Sequence, residues 1–477
     1  MRRVLIACSV LAACKGKSPN DAPASTTTTQ PSSGSDAAAG SADPWTTKAD
    51  KAEGSADTPD KRRKRAEAAL GRVGQIKPKL ASIRELTFSR DVPTEYQNAA
   101  DFTAFVHRET VKELPPEKDK NISAALFHIG LLQKAVDLAE VEEQAVVTQA
   151  GAYYDPAAKK FFLVMVPDNE LALDTISAHE LTHALQDEHF DLEKYTPPTL
   201  TDDQSSARRF VVEGDATFSM FLYALGQAKV DARVVKAMRG TIEKFADMSL
   251  DDFKQQTKDQ AKGFSNMDPD IKKSLDAMDL IPPTILVPML DSYMKGAVVA
   301  MTAYEAGGWK AVDELYKNPP ESTEQVLHPA TKLFPTRDKP HAVTLGKLDG
   351  TELTNNVMGE LQWQVYFSLW KPDLAKEASE GWGGDRYAVV KRGDGRLIGV
   401  FATTWDSAAD AEQFAKAYAQ TLPVRFPAAG APKPGEAFVR PDGGKIFVKQ
   451  VGMKVFIVDG ADDGKLLDQV VRTSKIE

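Results

Sequence analysis

The stretch Ala178-His179-Glu180-Leu181-Thr182-His183-Ala184-Leu185 decides how this chain is read. Ile176, Leu181 and Leu185 supply apolar positions, and neither Gly nor Pro falls between Asn169 and Asp187, so the segment reads as a helix. Pro167 and Asp168 lie where that helix could begin, and Asp174 is a second candidate cap. Residues four apart stack on one helix face, so His179 and His183 aim two imidazoles at one point. Glu180, one position further round, can reach a water at that point without being a ligand. Two neutral imidazoles and a nearby carboxylate suit a borderline-soft divalent ion with a general base beside it. The chain has seven histidines. A purely structural use of two that flank a glutamate at this spacing is the weaker reading.

A catalytic zinc takes three protein ligands and keeps one open position, so a third ligand is needed. Directly after the motif, Asp187 lies four residues past His183, where it can orient a ligand. His189 falls where the helix should end and is not read as a ligand. Pro197 and Pro198 mark a loop, and Asp202 or Asp203 caps a second helix over 204–225, closed by Gly226. That helix carries Val211-Val212-Glu213-Gly214-Asp215-Ala216-Thr217. Burying Glu213 on an apolar helix without a partner is costly, and a bound zinc removes that cost. Gly214 lets two helices approach closely.

The pair of motifs, His179-Glu180-x-x-His183 and then Glu213-Gly214-Asp215-Ala216-Thr217, resembles the gluzincin metallopeptidases. There the third zinc ligand is a glutamate on a following helix. More closely, the chain resembles a family of bacterial and archaeal predicted zinc peptidases. The residues that carry this are Tyr154-Asp155-Pro156, the run from His179 to Phe190, the Glu213 segment, Gly307-Gly308-Trp309, and the segment from Pro319 to Pro329. The resemblance spans roughly 126–329. It implies a zincin-like domain, with His179, His183 and Glu213 as zinc ligands and Glu180 as general base. The spacing to Glu213 is longer than in thermolysin-like members. Position 217 is Thr where the family's orienting acid would sit, so Asp215 or Asp187 takes that role. His328, in the loop-like segment 319–329, is a candidate donor to the oxyanion; a structural role at a helix start is the alternative. The apolar run Phe161-Phe162-Leu163-Val164-Met165-Val166 reads as a strand. In zinc peptidases a strand at this place often forms the edge along which an extended substrate lies. An ordinary core strand fits the residues equally.

Outward from this centre, Arg2 and Arg3 precede the short apolar run 4–13, which ends in Leu11-Ala12-Ala13-Cys14. This resembles a bacterial lipoprotein signal peptide over 1–13, cleaved before Cys14, which would carry the lipid; it is too short to span a bilayer. Both cysteines, Cys8 and Cys14, lie here, so the remaining body has neither a disulfide nor thiol chemistry. Residues 14–60 are rich in Ser, Thr, Ala, Pro and Gly and read as a flexible tether. About 45 such residues span roughly 35–40 Å. The cluster Lys61-Arg62-Arg63-Lys64-Arg65 reads as the solvated start of a helix, and the net charge of −9 argues against nucleic acid.

Residues 61–148 look mostly helical, with apolar spacings near three and four over 66–86 and 124–145. His107 and His128 fall here without a second ligand type at metal spacing. Residues 229–277 are charged and helical in pattern. Residues 290–305 read as a buried helix that Tyr293 and Lys295 interrupt. About 400 folded residues exceed one compact core, so two domains are expected, 61–331 and 332–477. In the second, Gly393-Asp394-Gly395 and Val451-Gly452-Met453 mark two hairpins, and helices are expected over 357–370, 408–422 and 462–474. Gly393, Gly395 and Gly399 lie in a hairpin, not at a strand-to-helix turn, which excludes a dinucleotide fingerprint.

The expected fold is therefore α+β: a largely helical zincin-like domain followed by a smaller α+β domain of hairpins and helices. The expected function is a lipid-anchored zinc peptidase of the cell envelope acting on a protein or peptide. The alternative is a non-catalytic binding lipoprotein that keeps the zinc as a structural clamp.

Overall fold

A computed structural model describes residues 5–8, 58–147, 150–164, 166, 169–226, 230, 232–262, 277–429 and 436–477. The lipobox, Cys14, the tether up to residue 57, and the Pro167 and Asp168 helix start lie outside the described residues. The architecture is α+β, a helical body followed by a strand-rich C-terminal unit.

The body begins with α1 (Pro59–Gly71), capped by Thr58, and α2 (Val73–Arg84). The basic cluster at 61–65 does form the first turns of α1. The expected helix over 66–86 is thus two, broken at Arg72. Strand β2 (Thr94–Tyr96) leads into α3 (Ala99–Glu113) and α4 (Pro116–Ile129). Gly130, at φ 85°, ends α4, so the expected helix over 124–145 is divided between α4 and α5 (Leu138–Val147).

A four-stranded sheet follows, in the order β1 (Leu5–Cys8), β3 (Ala150–Asp155), β4 (Lys160–Leu163), β2. β4 pairs antiparallel with β3 and parallel with β2. The apolar strand is therefore interior and not an edge. Alternate residues Phe161 and Leu163, with Ala152 and Tyr154 of β3, pack on Leu173, Ile176, Leu181 and Leu185 of α6 (Glu170–Phe190). Asn169 caps α6 by accepting from Ala172 N, and Asp191, at φ 55°, ends it.

After α7 (Leu192–Tyr195) comes α8 (Asp202–Ala224). Its cap is Thr201, not Asp202 or Asp203. Thr201 and Gln204 form a reciprocal capping box, which satisfies two backbone N–H groups at once. Asp203 instead accepts from the backbone and hydroxyl of Thr323. Helices α9 (Ala232–Ala246) and α10 (Leu250–Lys262) lead on to the long α11 (Pro283–Lys317), broken at Gly307 and Gly308. Helices α8 and α11 cross where Gly214 meets Gly296. A Cβ at 214 would stand 2.1 Å from the Gly296 carbonyl carbon, so only glycine permits this approach.

The short α12 (Thr323–Leu327) and a single π turn, Pro329–Leu333, close the body. In the C-terminal unit one antiparallel sheet runs β6 (Thr351–Asn356), β7 (Trp382–Lys391), β8 (Leu397–Trp405), β11 (Lys454–Ala461), β10 (Lys445–Val451), β9 (Phe438–Val439). Both expected hairpins are present, β7–β8 and β10–β11, and β8–β11 pairing joins them. One face packs on α13 (Gly359–Trp370) and α14 (Ala408–Arg425) through Trp363, Phe367, Phe401 and Phe414. The other packs on α15 (Lys465–Thr473), where β5 (Val343–Thr344) and β12 (Lys475–Ile476) form a small pair. Helix α4 of the body also rests on this sheet, where a Cβ at Gly399 would come within 2.9 Å of Ile129. The Trp370 indole donates to Gly130 O at 2.7 Å and Gln362 donates to Thr284 O at 3.1 Å, so polar pairs tie the two units together.

Candidate metal centre

Helix α6 runs between the sheet and α8, and this sandwich buries its middle on all sides. His179, Glu180 and His183 are at most 1% exposed, and Glu213 of α8 is 3% exposed. Four polar side chains in so dry a place need compensation.

The structure brings His179, His183 and Glu213 together. The Nε2 atoms of His179 and His183 are 3.1 Å apart. Glu213 Oε2 lies 3.2 Å from the first and 3.4 Å from the second. Ligands at about 2.0–2.1 Å around a tetrahedral ion stand about 3.3 Å from one another. The triangle therefore has the dimensions of one face of such a site. Three lone-pair atoms turned to a common point also repel unless a cation lies among them. Burial disfavours a charged His183, but the Glu213 carboxylate outweighs it and holds His183 up to about 9. Burial likewise resists ionisation of Glu213, and the two imidazoles overcome it, drawing Glu213 down to about 2. Burial holds His179 down. A divalent ion fits the same donors and would take the place of any proton shared among them.

Glu180 stands differently. One of its oxygens, Oε2, accepts from the backbone N–H of Tyr154 on β3 at 2.7 Å. Its carboxylate also comes within 4.8 Å of both imidazole donors. Grouping by reach alone would make Glu180 the third ligand. Glu213 lies nearer both imidazoles than that reach requires, and Glu180, tied to β3, stands beside the triangle.

Several sequence expectations fall elsewhere. Asp187 does not orient a ligand. It accepts from Tyr154 Oη at 2.8 Å, Lys159 Nζ at 2.8 Å and Leu192 N at 3.2 Å, on the side of α6 that faces β3. Gln186, three residues past His183, is the side chain that meets His183 Nδ1, at 2.8 Å. His189 bonds Thr87 O at 2.9 Å and is not among the converging donors. His328 Nε2 pairs at 2.8 Å with Glu360 Oε1 of the C-terminal unit, a buried carboxylate in need of a donor. Its hydrogen bond is thus spent across the interface and not on the triangle. Gln186 lies in the run that carries the resemblance, but neither it nor Glu360 had a role legible in the sequence, because both partnerships depend on packing. Tyr293 of α11, which interrupts an apolar run, places its ring 5.8 Å from that of His179.

A second acidic group, Glu324, Asp338 and Asp406, surrounds Lys332 Nζ at 3.0, 2.6 and 2.6 Å. The ammonium fills the place of a cation there.

A family model described as a domain of unknown function (DUF8575) matches residues 346–470, within the C-terminal unit. No match to this chain was found among curated proteins or among solved structures.

Proposed function

We propose that this chain is a zinc metallopeptidase of the gluzincin type, with His179, His183 and Glu213 holding the ion and Glu180 acting as base. The observation that carries this reading is the triangle of 3.1, 3.2 and 3.4 Å with a tethered carboxylate beside it. When bound, zinc supplies a Lewis acid that polarises a carbonyl and acidifies a water. The residues of the chain do the rest. Tyr154 N–H fixes the Glu180 carboxylate in place. Glu180 takes a proton from the attacking water and returns it to the leaving nitrogen, so the peptide bond is exchanged for a carboxyl and an amine.

A peptide substrate suits the sheet. The outer edge of β3 accepts an extended segment antiparallel, as it does Leu5–Cys8 in β1, with Leu5 opposite Tyr154. Tyr154 is the residue that also holds Glu180, so a strand on this edge runs beside the base. Cleavage before Cys14 would remove β1 and leave the edge open for substrate. In this reading the processed chain is anchored to the cell envelope through lipid on Cys14.

One observation favours the alternative of a zinc-stabilised binding lipoprotein. The four site residues are almost wholly buried, as in structural zinc sites, which are closed. The deciding experiment measures zinc content and casein hydrolysis for the parent and Glu180→Gln. One zinc in each with cleavage by the parent alone supports the peptidase. One zinc in each with cleavage by neither favours the clamp. Cleavage by both refutes the role of Glu180.

A further inference from the structure

Gln186 donates from its amide nitrogen to Val212 O at 3.0 Å and to Asp215 Oδ2 at 3.2 Å. Both partners only accept. The amide oxygen must therefore face His183 Nδ1, 2.8 Å away, and a bond to that oxygen requires a proton on Nδ1. Turning the amide over would set its oxygen against two acceptors. His183 is thus held in the tautomer whose Nε2 lone pair points into the triangle.

Asp215 is itself held. Arg84 Nε donates to Asp215 Oδ1 at 2.8 Å and Tyr316 Oη donates to Oδ2 at 2.8 Å. The other side of the guanidinium reaches Asp313 at 2.6 Å, and its central carbon lies 4.5 Å from the centre of the Trp309 ring. Arg84, Gln186 and Asp215 are all fully buried. Arg84 lies on α2, 131 residues before Asp215, so a remote helix secures the site.

We propose that Gln186 is the positioning residue of His183, locked by the buried Asp215–Arg84 pair. An amide fixes the imidazole without adding charge, so Glu213 supplies the only negative charge among the ligands. A carboxylate at 186 would face Asp215, while an amide there satisfies it.

This rests on the metal reading of the triangle, and the test separates the two. Zinc affinity is measured on the full-length chain by competition with a chromophoric chelator at fixed pH, for the parent, Gln186→Met and Gln186→Glu. Gln186→Met removes the acceptor and is expected to weaken zinc about 10- to 100-fold. Gln186→Glu keeps an acceptor for Nδ1 but loses the donors to Val212 and Asp215, so it is expected to weaken zinc at least about threefold less than Gln186→Met does. A Gln186→Met affinity within twofold of the parent overturns the proposal, as does equal weakening in both variants. If Gln186→Met does not fold, Asp215→Asn carries the test: a threefold or greater loss is expected, and a parental affinity overturns it. A parent that takes no zinc overturns the metal reading as well.

Discussion

In the C-terminal unit the buried Asp385 carboxylate accepts four N–H donors, from Met358, Gly359, Trp363 and Trp382. In the helical body the buried His179, His183 and Glu213 turn their Nε2 and Oε2 atoms toward one another, and His179 Nδ1 has no hydrogen-bond partner among the described residues. Both places bury charge in a dry interior. One closes its hydrogen bonds from within and builds structure. The other converges three donor atoms on one point, where the proposed zinc would sit. The contrast separates a carboxylate closed by protein N–H donors from one that the proposed metal would complete, where burial alone does not.

The largest effect that sharpens this contrast is on turnover. Glu180→Gln is expected to lose at least about 100-fold in peptide hydrolysis while holding one zinc per chain, read by metal analysis and a cleavage assay. Next, Gly214→Ala drives a methyl into the Gly296 backbone and should part α8 from α11, shifting Glu213. It is expected to cost about 3 kcal/mol or more and to abolish tight zinc binding, measured by denaturant unfolding and metal titration. Asp385→Ala leaves four donors unpaired and is expected to cost about 3 kcal/mol with zinc affinity unchanged. A loss of zinc affinity in that variant would break the separation of the two regions. Removing zinc from a sample held at about 100 times its dissociation constant should lower stability by about 2.7 kcal/mol, seen as a fall in Tm.

The smallest effect is in pH. Burial pushes Asp203 up to about 8 despite its two hydrogen bonds from Thr323. A carboxyl raised on folding favours the folded state at low pH. That contribution is lost as pH climbs from the unfolded value, about 4, through about 8. The parent's Tm is expected to decline over this window and Asp203→Asn to flatten the decline. Equal slopes would show that Asp203 is not the titrating group.

The pattern at 178–185 was enough to place two imidazoles and a carboxylate on one helix, because a spacing of four is a local property of helical geometry. The Gly-Asp-Gly and Val-Gly-Met turns likewise determined two hairpins, since turn residues act through their own backbone. Gly214 was legible as a close-approach residue, although its counterpart Gly296 was not. What lay beyond the sequence was every choice between near neighbours. Gln186 and not Asp187 meets His183, because α8 faces one side of α6 and β3 the other. Thr201 and not Asp203 caps α8, because Asp203 is drawn to Thr323 of α12. His328 turns to Glu360, β4 is interior, and Arg84 reaches Asp215 from a helix far earlier in the chain. Each of these follows from which surfaces pack together, and packing is settled by the whole chain's burial and hydrogen bonding at once, not by the order of residues in one segment.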